Sequence, residues 1–143
     1  MEFEGKIWKS TTFWLVEVPS LDLMTQGETK EETLKMLEEL IAELVDYYFT
    51  KKETKDYAVS INLYKKGVIG VSSSKRRLLL ALSLIRQREK SQSTIRETAK
   101  RLGSKFPNSY AQYEKGKIRI SLEQYEKLLT AANPNYKCLL RVI

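Results

Sequence analysis

The sequence predicts an α+β protein in two parts: a small antiparallel sheet with one long helix, then an all-helical, basic module. Three observations predict it. Apolar residues alternate with a period of two early in the chain, and with a period of three to four afterwards. Charge divides sharply, with 9 Lys/Arg against 13 Asp/Glu in residues 1–72 (net −4), and 16 against 5 in residues 73–143 (net +11). A glycine and a short polar turn separate two helical segments near residue 103.

Lys6 to Lys9 and Phe13 to Val18 are the first two strands: Phe13, Leu15 and Glu17 alternate with Trp14, Val16 and Val18. Ser10-Thr11-Thr12 is short enough to join them as a hairpin. Pro19 ends the second strand because it has no N–H for the ladder. Leu21 to Gln26 is a third strand, closed by Gly27. Thr29 and Glu32 then stand at capping-box spacing, and Glu28, Glu31 and Glu32 suit the positive end of a helix dipole. Leu34, Leu37, Leu40, Ile41, Leu44, Val45 and Tyr48 form the apolar stripe of that helix, with Glu38, Glu39 and Glu43 largely off it. Lys51 to Asp56 is a charged loop, and Tyr57 to Tyr64 a fourth strand. The expected order is β-β-β-α-β over residues 1–71, with Ser72-Ser73-Ser74 as a linker.

The second module is expected over residues 75–135. Lys75 to Lys90 carries Leu78, Leu79, Leu82, Leu84 and Ile85, an apolar face wide enough for the centre of a core. Thr94 and Glu97 open the next helix, which stops at Gly103, where a left-handed backbone suits glycine. Pro107 is favoured at the first position of a short helix ending near Glu114. Ser121 and Gln124 cap a last helix, with Leu122, Tyr125, Leu128, Leu129 and Ala132 on one side. Residues 136–143 form an apolar tail, a strand or an oligomerisation arm.

Helix, tight turn and helix is the layout of a helix-turn-helix, whose second helix enters the major groove. Tyr110 and Tyr113 would face the core. Asn108, Ser109 and Gln112 would face outward as base contacts, since Asn and Gln match adenine N6/N7 and Ser serves several bases. Thr94, Lys105, Lys115, Lys117 and Arg119 are the expected phosphate contacts, which fix position without carrying sequence information.

Composition removes other classes. With no histidine, the usual general base near neutral pH and the commonest metal ligand are missing. One cysteine, Cys138, allows neither an internal disulfide nor a Cys-pair zinc site. The longest apolar run, Leu78 to Leu82, is far below the roughly 20 residues of a membrane span. The N-terminal MEFEGKIWKS has no signal-peptide stretch. The expectation is a cytoplasmic protein without cofactor or metal. Glu4 and Glu17 are the acids placed clearly within strands, too few for the carboxylate cluster of a two-metal nuclease, so an enzyme is not expected.

Residues 94–117 resemble the Cro/C1-type helix-turn-helix, and the run Gly103-Ser104-Lys105, Pro107-Asn108, Tyr110-Ala111 and Tyr113-Glu114 with Gly116 is similar to the form attached to HicB antitoxins. In the first half, Val16-Glu17-Val18-Pro19-Ser20-Leu21 followed by Thr25-Gln26-Gly27-Glu28-Thr29 and Glu31-Glu32 is similar to the HicB signature. Together the two matches cover most of residues 3–133. The Pro-Gly-Cys common between the corresponding strands of that family is missing, and the spacing from Gly103 to Glu114 is one residue longer than in ordinary repressors of the Cro/C1 type. The resemblance implies a partial RNase H-like domain that covers a HicA-like, mRNA-cleaving toxin. It also implies a helix-turn-helix that represses its own operon at operator DNA, as a homodimer or larger assembly. The alternative is a stand-alone regulator whose first domain dimerises or senses a ligand.

Overall fold

A computed structural model describes residues 1–104 and 106–143. It is α+β, with a five-stranded sheet and six helices among the described residues. Strands β1 (Phe3–Lys9), β2 (Trp14–Val18) and β3 (Leu23–Gly27) precede helices α1 (Lys30–Tyr48) and α2 (Lys51–Thr54). Strands β4 (Val59–Leu63) and β5 (Val68–Ser73) follow, then α3 (Arg76–Lys90), α4 (Ile95–Arg101), α5 (Pro107–Glu114) and α6 (Leu122–Ala132).

The expected β-β-β-α-β order is thus one strand and one helical turn short. Segment 68–73, which ends in two of the three serines expected as the linker, is a strand in which Ile69 and Val71 alternate inward and are fully buried. Ser73 and Ser72 pair with Val59 and Ser60, so the serines expected to link two modules are half inside the sheet. The missed turn, α2, lies in the expected charged loop: Thr50 caps it, its hydroxyl accepting the Glu53 N–H at 3.3 Å. The third strand also begins later than expected, because Pro19–Leu21 forms a 3-10 turn that ends with Asp22 in the left-handed region.

The strand order is β3-β2-β1-β5-β4, and every neighbouring pair is antiparallel. The register puts Ile7, Val16, Val18, Leu23, Ile69 and Val71 on one face, where they meet Leu37, Ile41 and Val45 of α1. Each such side chain contributes about 1.5–3 kcal/mol through burial. On the other face, Lys6 stands opposite Glu17, while Trp8 and Met24 remain exposed.

Helix α3 belongs to two cores at once. Leu78, Leu79, Ala81, Leu82 and Ile85 pack with the sheet and α1. Leu84 packs with Ala99, Tyr110, Tyr125, Leu128 and Leu129 of the helices that follow. Polar contacts add to this. Buried Gln87 donates to the carbonyls of Pro19 (2.8 Å) and Ser20 (3.1 Å) and accepts from Asn133 at 2.9 Å. Arg86 donates to the carbonyls of Leu21 and Asp22. The β2–β3 turn and the end of α6 are therefore both gripped from α3.

Leu122, expected on the core side of α6, is the first residue of that helix and is 58% exposed, the buried face beginning at Tyr125. Residues 136–143 form neither strand nor helix. Leu139, Leu140, Val142 and Ile143 are exposed, while Arg141 pairs with Glu4 of β1.

Candidate nucleic-acid interface

Local sequence fixes where α4 and α5 begin and end. The Thr94 hydroxyl accepts the Glu97 N–H at 3.0 Å and starts α4. At its end Gly103 has φ +76, its N–H donates to Lys100 O (2.9 Å), and the Ser104 N–H donates to Ala99 O (3.0 Å). This is the Schellman closure, which needs a left-handed residue after the cap and so favours glycine. Ser104 closes the turn by accepting the Phe106 N–H at 3.2 Å. Pro107 occupies the first turn of α5, where its missing N–H costs nothing.

The inner side of α5 is anchored. Tyr110 is buried and Tyr113 half-buried against the helical core, as the spacing predicts. Glu114 is also buried, and the guanidinium of Arg88 on α3 grips it at both oxygens, Nε–Oε2 2.7 Å and Nη2–Oε1 2.9 Å. Arg88 also donates to Ser93 O at 3.1 Å, and Arg101 donates to the Ser93 hydroxyl (2.7 Å) and to Ala131 O (2.9 Å). One hydrogen-bonded cluster thus fixes α5 to α3, α4 and α6. A bidentate guanidinium–carboxylate pair holds orientation as well as distance. The Arg88 pKa is raised, first by its hydrogen bond to Glu114. That of Tyr110 is raised strongly, first by burial and next by the Glu114 charge.

The outer side of α5 is free. Asn108, Ser109 and Gln112 are all exposed, on one stripe of the helix that Lys115 continues at its C-cap. Lys117 and Arg119 are exposed in the loop beyond. Among the described residues, Lys115, Lys117 and Arg119 make no salt bridge, whereas five other cations do. Thr94 is exposed at the start of α4 with its hydroxyl engaged in the cap. Lys105, also expected at a phosphate, lies outside the described residues. The three expected base contacts therefore share one surface flanked by uncompensated positive charge. Arg88 and Glu114 were missed, being 26 residues apart with nothing local to pair them.

Among the described residues, no three His, Cys, Asp or Glu side chains gather as they would around a metal ion. None of the helices is long and apolar enough to cross a membrane. Scanning the chain against protein-family models and against curated proteins finds no match to either.

Proposed function

We propose that the chain binds duplex DNA sequence-specifically through α4 and α5 and serves as antitoxin and autorepressor of a type II toxin–antitoxin pair, as its HicB-like motifs imply. The observation that carries the DNA reading is the two-sided build of α5. Tyr110 and the Arg88–Glu114 pair lock its inner side, while Asn108, Ser109 and Gln112 are presented outward from a rigid support. Such side chains read base edges in the major groove. Lys115, Lys117 and Arg119 supply the charge that meets phosphates and releases counterions.

The toxin half of the proposal rests on the motifs in residues 16–32 and on charge. The sheet and α1 would correspond to the partial RNase H-like domain, enlarged by β5, inserted between β1 and β4. Glu38, Glu39 and Glu43 are exposed on α1, and the half that holds them is net negative. That charge suits a basic ribonuclease. Repression from a two-fold operator calls for a dimer, and the exposed side chains of residues 139–143 are the apolar surface such a dimer would cover.

The test is a salt series on the DNA upstream of the chain's own gene. Gln112→Ala should lose about 1–3 kcal/mol of discrimination at particular base pairs. Lys117→Ala should weaken binding to all sequences and reduce the salt slope by about one unit. DNA affinity independent of salt would sink the DNA reading. Co-expression with the product of the neighbouring gene tests the toxin reading. A stable complex that silences mRNA cleavage supports it, and the lack of both complex and cleavage favours the stand-alone regulator.

A further inference from the structure

A second concentration of positive charge lies beyond the α4–α5 unit. A cleft of about 330 Å³ opens between the first turn of α3, the β5–α3 joint and the loop leaving α5. Lys75, Arg76, Arg77 and Arg119 line it, with Ser74 and the single carboxylate of Glu53. Lys75 donates to the backbone carbonyl of Glu53 at 2.9 Å, and none of the four cations makes a salt bridge among the described residues. Arg76 and Arg77 stand where the dipole of α3 is itself positive, and no acid occupies that first turn. Cations there repel the helix end by a few tenths of a kcal/mol or more. Four cations thus face one carboxylate, and the cleft keeps a net positive charge.

The cleft is continuous with the candidate interface. The Arg77 Nη1 donates to Lys117 O at 3.2 Å, tying the loop after α5 to α3. Gly116 lets the loop approach this closely: its φ is +71, and a Cβ there would lie 2.7 Å from Leu78 Cδ2. Backbone and side chains thus place Arg76, Arg77 and Arg119 on a track that begins at Lys115 and Lys117.

We propose that this cleft receives phosphodiester groups of duplex DNA flanking the site under α5, so that α3 and the β5–α3 joint belong to the DNA interface. The proposal rests on the DNA reading of α4 and α5. A backbone fits better than a nucleotide, because among the described residues no aromatic side chain lines the cleft to stack a base. Phosphate contacts of this kind fix orientation and add affinity on every sequence.

The experiment compares the full-length wild type, Lys117→Ala and the double variant Arg76→Gln/Arg77→Gln on the upstream DNA, with thermal melts to verify folding. The expected result is a salt slope lower by about two units in the double variant. Affinity should fall equally on specific and random duplexes, with loss of backbone protection outside the half-site. If Lys117→Ala shifts the slope while the double variant leaves slope and footprint unchanged, the cleft proposal falls and the α4–α5 reading stands. If the wild type binds no DNA, both fall. Inorganic pyrophosphate is the remaining arm: stabilisation of the wild type but not the double variant, with DNA binding equal in both, would make the cleft a small-anion site and overturn the proposal.

Discussion

At the level of single residues, Tyr110 is the most exacting side chain near the interface. Its ring fills the helical core, and its buried hydroxyl lies close to the Glu114–Arg88 pair without a well-formed hydrogen bond. Because a buried hydroxyl without a partner costs stability, Tyr110→Phe should leave stability at pH 7 unchanged or raise it by up to about 1 kcal/mol. The pH dependence follows from the raised pKa values of Tyr110 and Tyr125. Below pH ~10 both are neutral, folded or unfolded. Above it the unfolded tyrosine ionises while the folded one does not, so stability falls by about 1.4 kcal/mol per pH unit per tyrosine until the folded pKa is passed. Denaturant unfolding between pH 9 and 11 should therefore show a shallower alkaline decline for Tyr110→Phe than for the wild type; equal slopes would refute the assignment. The sequence discloses Tyr110 as a core residue through its spacing from Tyr113. It conceals Glu114, because a carboxylate at the end of a short polar helix is ordinarily solvated, and only the guanidinium of Arg88 makes burial tolerable.

Among elements, the pose of α5 depends on α3 through Arg88 and Glu114. Removing one partner strands a buried charge, so Arg88→Ala should destabilise the chain by about 3–5 kcal/mol. Arg88→Met with Glu114→Leu should recover most of that loss, as measured by urea unfolding. A single-variant effect below about 1 kcal/mol would mean that water reaches the pair. The turn before α5 makes a sharper contrast. Gly103→Ala forces a left-handed alanine into open space and should cost about 1 kcal/mol. Gly116→Ala, strained and also in collision with Leu78, should cost more. Helix limits were legible because caps are local chemistry: Thr29, Thr94 and Ser121 each accept the N–H three residues on. Strand β5 was not legible. Its glycine and serines resemble a linker until β1 and β4 supply the pairing partners on either side.

Over the whole molecule, charge and the tail make the testable claims. The +11 of residues 73–143 predicts DNA affinity that falls steeply with salt. The tail tests the proposed dimer: truncation after Tyr136 should leave the fold intact and lower the assembly to the monomer mass, measured by light scattering. Equal masses would assign the tail no part in assembly. The sequence by itself determined the α+β class, the cap and glycine that bound α4, the outward stripe of Asn108, Ser109 and Gln112, and the division of charge. These follow from periodicity and local hydrogen bonding, which are properties of neighbouring residues. Only the tertiary structure decided that β5 sits inside the sheet between β1 and β4, that α3 serves two cores, that Arg88 grips Glu114, and that Arg76 and Arg77 meet Arg119 across one cleft. Each joins residues far apart in the chain, and such partners are chosen by packing and charge once the chain has folded.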